Sequence, residues 1–175
     1  MIKQEQREYL EQRLQKARIA CYSISRDFAG DYADINNTCY LCDCIGEYAD
    51  SQVDIYTGNL LEWFKEHFIE VENAIDEFGD IARDSNGRAD ITATIQRGQY
   101  LYYEQKMYED IEEILTILAC RYLLDNADTI EVKDNLSNVD LDCMLDDVRE
   151  LGTSCQFCNI LDNVEDWVLW ANTTK

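Results

Sequence analysis

No proline occurs among the 175 residues, where a chain of this length would ordinarily hold about nine. The main helix breaker is therefore missing. Seven glycines leave few places where a helix must stop, so a nearly all-α protein is expected. Bases are also scarce: 15 Lys and Arg stand against 36 Asp and Glu, a formal charge of −21. That balance excludes a basic nucleic-acid reader and argues against an anionic membrane as partner. No apolar run approaches the roughly 18 residues of a membrane span. Residues 1–13 carry charges of both signs and no apolar stretch, so no secretory leader is expected there and a cytoplasmic setting is.

Enough apolar material is present to fold. Hydrophobic residues make up 46% of the chain, so disorder is a poor description despite the charge. The expectation is a single helical domain spanning 1–175, a multi-helix bundle of about six helices. Leu10, Leu14, Ala17, Cys21, Ile24 and Phe28 recur at three- and four-residue steps, which predicts one helix from Met1 to about Phe28. Asn36-Asn37-Thr38 offers caps for a second helix ending near Asp50, and Tyr56 to Asn59 reads as a turn before a third from Leu60 to Phe78. Asp84-Ser85-Asn86-Gly87 is a turn signal. A long helix is expected from about Ala89 to Leu124, with Gly98 marking a kink or close crossing. Two more are expected over about Val139–Leu151 and Cys155–Ala171, separated by Gly152. Thr129-Ile130-Glu131-Val132 alternates and suggests a short extended segment near 129–132.

The charge is unevenly spread. Residues 1–26 hold six bases and three acids, a net of +3, which leaves −24 on residues 27–175. The chain thus reads as a basic-leaning first helix (1–28) and an acidic body (29–175). Within the body, Asp43, Glu47, Asp50 and Asp54 step at helical intervals, as do Glu62, Glu66 and Glu70, then Asp76, Asp80 and Asp84. Glu109, Asp110, Glu112 and Glu113 form a further cluster. Such stripes are how an amphipathic helix shows its solvated side. Like charges at i,i+4 nevertheless cost about 0.2–0.5 kcal/mol a pair, and lysines would give equal solubility. The surplus is better explained by a cationic partner. A helix repeats every 5.4 Å and a duplex strand carries a phosphate about every 3.4 Å, so packed helices can present carboxylates much as a duplex presents phosphates.

Eight cysteines in a chain with an adequate core point to a reducing compartment rather than to disulfides. Thr38-Cys39-Tyr40-Leu41-Cys42-Asp43 and Ser154-Cys155-Gln156-Phe157-Cys158-Asn159 share one pattern. If Thr38 and Ser154 cap helices, each pair lies in a first turn, where thiolate is favoured. Cys39, Cys42, Cys155 and Cys158 are then candidate zinc ligands, with Cys44 as a substitute. Buried apolar thiols or a redox dithiol are the other readings, and no other cofactor is indicated.

Tyr100, Tyr102, Tyr103 and Tyr108 are core residues or interface anchors; Trp63, Trp167 and Trp170 are expected in the core. An enzyme is not expected. His67 is the sole histidine, so every His-dependent catalytic unit would rest on it. Glu109-x-x-Glu112 and Asp125-x-x-Asp128 resemble the Mg²⁺-holding pairs of helical nucleotide pyrophosphohydrolases, but on one helix they lie about 20 Å apart.

Asp54-Ile55-Tyr56 through Leu60-x-x-Trp63, Glu77-Phe78-Gly79 and Gly98-Gln99-Tyr100-Leu101 resemble small acidic proteins carried by bacteriophages and integrated mobile elements. The resemblance covers about half the chain and assigns no residue roles. It implies a bacterial host cell, in which such proteins block host defence enzymes, restriction or CRISPR-type nucleases among them. Together with the −24 body, the expectation is a non-enzymatic inhibitor whose acids at 43–84 and 109–113 occupy the basic groove of such a protein as a nucleic-acid mimic. The alternative is a structural or regulatory interaction module, zinc-stabilised through the two cysteine pairs. The basic first helix also offers a route to a homodimer, by docking on a second copy's acidic face.

Overall fold

The computed structural model describes residues 1–33, 41–55, 57–69, 81–130 and 136–153. Seven α-helices and one π-helical turn occur among the described residues, with no strand beyond an isolated bridge between Arg83 and Ala89. The fold is all-α and multi-helical, as the missing prolines imply. The chain divides into two compact units, residues 1–44 with 109–175, and residues 45–108.

In the first unit, α1 (Gln4–Ala20) and α2 (Ser23–Asp27) lead into the π-helical turn Phe28–Tyr32. The expected continuous helix to Phe28 is interrupted. Cys21 and Tyr22 turn extended, with ψ of 147° and 154°. The start of α1 is fixed by Gln6, whose side-chain oxygen accepts the Lys3 N–H at 2.8 Å while its amide nitrogen donates to the Leu136 carbonyl at 2.6 Å. Both ends of a buried amide are thus satisfied.

Of α3 (Leu41–Ser51), only the first turn belongs to this unit. The long helix expected over 89–124 is two: α5 (Ile91–Glu109) and α6 (Ile111–Asp125). Gly98 lies buried within an unbroken α5, and the break falls at Asp110, at φ −98° and ψ 10°. Every residue of α6 from Ile114 to Cys120 is buried, as in a helix enclosed on all sides. It packs against α1, against the π turn, and against α7 (Asn138–Thr153). Leu10 of α1 and Leu141, Met144 and Leu145 of α7 are completely enclosed, each burial contributing about 1.5–3 kcal/mol. Ser137 begins α7 with a reciprocal cap: its N–H donates to the Asp140 carboxylate at 2.8 Å and its hydroxyl accepts the Asp140 N–H at 3.3 Å. Gly152 does not end that helix, which continues to Thr153.

The second unit holds the rest of α3, then α4 (Thr57–Glu66) and α5 to Tyr108. Thr57, Gly58 and Asn59 form the first turn of α4 rather than a separate turn. After α3, Gln99 accepts the Asp54 N–H at 2.6 Å and Gln96 donates to the Asp54 carbonyl at 3.0 Å. These two amides clasp the connection onto α5. The turn at 84–87 is present: Asp84 Oδ1 accepts the N–H groups of Asn86 and Arg88 at 2.8 and 2.9 Å. Gly87 takes φ 76°, a conformation costly for residues with a Cβ. Asp90 caps α5 by accepting the Ala93 N–H at 3.0 Å.

Thr129 lies in a turn and Ile130 is in neither helix nor strand; the expected helix from Leu60 is interrupted, α4 ending at Glu66 before a bend at His67. Residues 131 and 132, the Asn36–Thr38 cap, the third helix beyond Ile69 and the Cys155–Ala171 helix lie outside the described residues.

Asp110 joins the two helix breaks of the first unit. It is 8% exposed, and its carboxylate accepts the N–H of Tyr22. Asp110→Ala is expected to lower unfolding free energy by about 1.5–3 kcal/mol, read as a lower urea midpoint at unchanged slope.

Candidate acidic interface

Carboxylates face solvent where helix periodicity puts them. On α3 the exposed acids are Asp43, Glu47 and Asp50, spaced by four and three residues on one face over about 10 Å of axis. Leu41, Ile45, Tyr48 and Ala49 occupy the buried face, and the helix carries no Lys or Arg. Asp54 is half-buried just beyond. On α4, Glu62 and Glu66 are exposed beside one base, Lys65. Asp84 is exposed, with one carboxylate oxygen engaged by its own turn.

The cluster after Tyr108 behaves differently. Glu109 is exposed. Asp110 is buried and holds Tyr22, which removes it from any outer face. Glu112 pairs with Arg149 at 2.8 Å, and Glu113 lies 3.7 Å from the same guanidinium, itself 3.9 Å from Asp146. The basic first helix is engaged within the chain too: Arg7 pairs with Asp128, and Arg13 stands 3.6 Å from Asp142. Five described acids of the first unit thus lie within 4 Å of a guanidinium, while α3 carries no base of its own. Glu70, Asp76 and Asp80 lie outside the described residues.

Cys39, Cys155 and Cys158 are also outside them, as is the side chain of Cys42. No group of three His, Cys, Asp or Glu suited to a metal occurs among the described residues. Two cysteines there are buried. Burial pushes the Cys21 thiol up to about 12, reinforced by Asp110 and Glu113, and burial pushes Cys120 up to about 12 against the opposing charge of Arg13. Both remain protonated and unreactive at neutral pH.

Trp63 is not a lone core anchor. His67 stacks on it at 4.6 Å, and Tyr102 and Tyr103 pack at 5.5 and 5.7 Å. The His67 Nδ1 sits 3.0 Å from the Trp63 carbonyl. The sole histidine is thereby tied into a half-buried aromatic cluster joining α4 to α5. The spacing of Trp63 and His67, one turn apart, carried this signal; the tyrosines from α5 did not. Trp167 and Trp170 lie outside the described residues.

A scan of family models and searches of curated proteins and of solved structures give no match to this chain.

Raised thiols set an alkaline limit to stability. In the unfolded chain these cysteines titrate near 9, so the protonation advantage of the fold is complete below pH 9 and is lost as pH rises toward about 12. Tyr9 and Tyr100, each pushed up to about 12 by burial and by a carboxylate partner, add the same sign from about pH 10. The urea midpoint is expected to fall steadily above pH 9, and less steeply in Cys120→Ala. Native alkylation at pH 8, read by peptide mass, is expected at exposed Cys143 and not at Cys21 or Cys120.

Proposed function

We propose that the protein is a non-enzymatic acidic inhibitor that occupies the basic groove of a nucleic-acid-binding protein, a restriction or CRISPR-type nuclease in a bacterial host cell. The supporting observation is the α3 face, where Asp43, Glu47 and Asp50 are exposed in a row on a helix without a base. Such a row repels itself and gains most from a concave cationic surface that would otherwise hold phosphates, with counterions released from both sides. Glu62 and Glu66 on α4 extend the exposed acids of the same kind, whereas Asp110, Glu112 and Glu113 serve the fold of the first unit. The proposal therefore rests on the α3 face, with Glu62 and Glu66 as further candidates.

Capture of nucleic-acid-binding proteins from bacterial lysate is expected to fall steeply between about 0.05 and 0.15 M salt. The variant Asp43→Asn with Glu47→Gln and Asp50→Asn is expected to bind such a partner about tenfold more weakly with its unfolding midpoint retained. Capture indifferent to both salt and variant overturns the proposal.

A further inference from the structure

Among the described residues, the second unit exposes more large apolar side chains than it encloses. Ile55, Leu61, Phe68, Ile69, Ile81, Ile91 and Tyr108 are exposed, against Ile45, Tyr48, Leu60, Ile95 and Met107 buried. Scattered apolar residues need no explanation, but a contiguous row does. One exists on α4 and its continuation. Leu61 and Phe68 are 45% and 47% exposed, and Ile69 is 68% exposed. Positions 61 and 64 lie about 60° apart on α4, which ends at Glu66, and Phe68 follows a bend at His67. The helical path persists to His67, whose N–H reaches the Trp63 carbonyl at 3.1 Å. Half-buried Phe64 meets Phe68 edge-on at 5.3 Å, so the row is one surface. On its outward side lie Lys65, then Glu62 and Glu66. The aromatic cluster of Trp63, His67, Tyr102 and Tyr103 supports the helix from beneath.

We infer that this face of α4 docks a basic amphipathic helix of a partner protein, with aliphatic residues set on Leu61, Phe64 and Phe68 and Lys or Arg reaching Glu62 and Glu66. An apolar row with Lys65 at its edge and Glu62 and Glu66 beyond it suits a helix whose bases lie one step outside its aliphatic face. The charge of the unit points the same way: 13 acids and five bases in residues 45–108 give −8. Phosphate-like mimicry needs no apolar row, so Leu61, Phe64 and Phe68 set this surface apart from the α3 face, while Glu62 and Glu66 belong to both readings.

The test is a fluorescence-anisotropy titration of the full chain into a labelled Leu/Lys amphipathic peptide of about 14 residues. Micromolar binding is expected. Leu61→Ser with Phe68→Ser should weaken it at least about tenfold, with far-UV circular dichroism unchanged because both side chains are half exposed. Glu62→Gln with Glu66→Gln should flatten its salt dependence, while the triple α3 variant should stay within about twofold of wild type. The inference is overturned if a Ser/Lys peptide of equal charge binds as well, if the serine variant binds normally, or if sedimentation shows two copies of the chain joined through this face. Failure here leaves the α3 proposal standing, since that depends on Asp43, Glu47 and Asp50.

Discussion

Fifteen bases among 36 acids is the constraint from which the surface of this protein follows. Where a base is placed decides which carboxylates are matched and which are left to solvent. Arg7, Arg13 and Arg149 all lie against acids within the first unit, and Arg121 donates to the Ala29 carbonyl. A single exposed ion pair contributes only about 0–1 kcal/mol. Their collective effect is to lower the repulsion that would otherwise oppose packing α1, α6 and α7 together. The helix with no base of its own, α3, then becomes the clearest anionic surface by subtraction.

Asp110 shows the same economy of charge. At the start of α6 its carboxylate makes no capping bond to its own helix; it accepts the Tyr22 N–H instead. A backbone donor exposed by the end of α1 is satisfied, and an acid is withdrawn into the interior. The enclosed residues of α6 need partners in every direction, and α1, the π turn and α7 supply them.

Fold class, the course of α1, α3 and α7, and the turn at 84–87 were legible in the sequence because they depend on local terms: apolar period, caps and a glycine at positive φ. The breaks at Cys21–Tyr22 and at Asp110 were not. Neither contains Pro or Gly, and the hydrogen bond that joins them spans 88 residues. The candidate acids divide in the same way. Asp43, Glu47 and Asp50 are exposed as their period requires. Glu112 follows an equally good period and is instead paired with Arg149, 37 residues away. Periodicity tells which side of a helix an acid occupies, but only tertiary packing tells whether a guanidinium waits there.

The second unit combines the two kinds of surface that association needs on different length scales. Carboxylates act over about 8 Å at physiological salt and set the approach and orientation of a cationic partner. They hold it weakly, because exposed pairs are screened. An apolar row such as Leu61, Phe64 and Phe68 acts only on contact, and its contribution is insensitive to screening. Acids alone would bind any basic surface; apolar residues alone would invite self-association. On α4 the two act as separate terms: like charge opposes the approach of a second copy, and an apolar row discriminates among cationic surfaces that reach it.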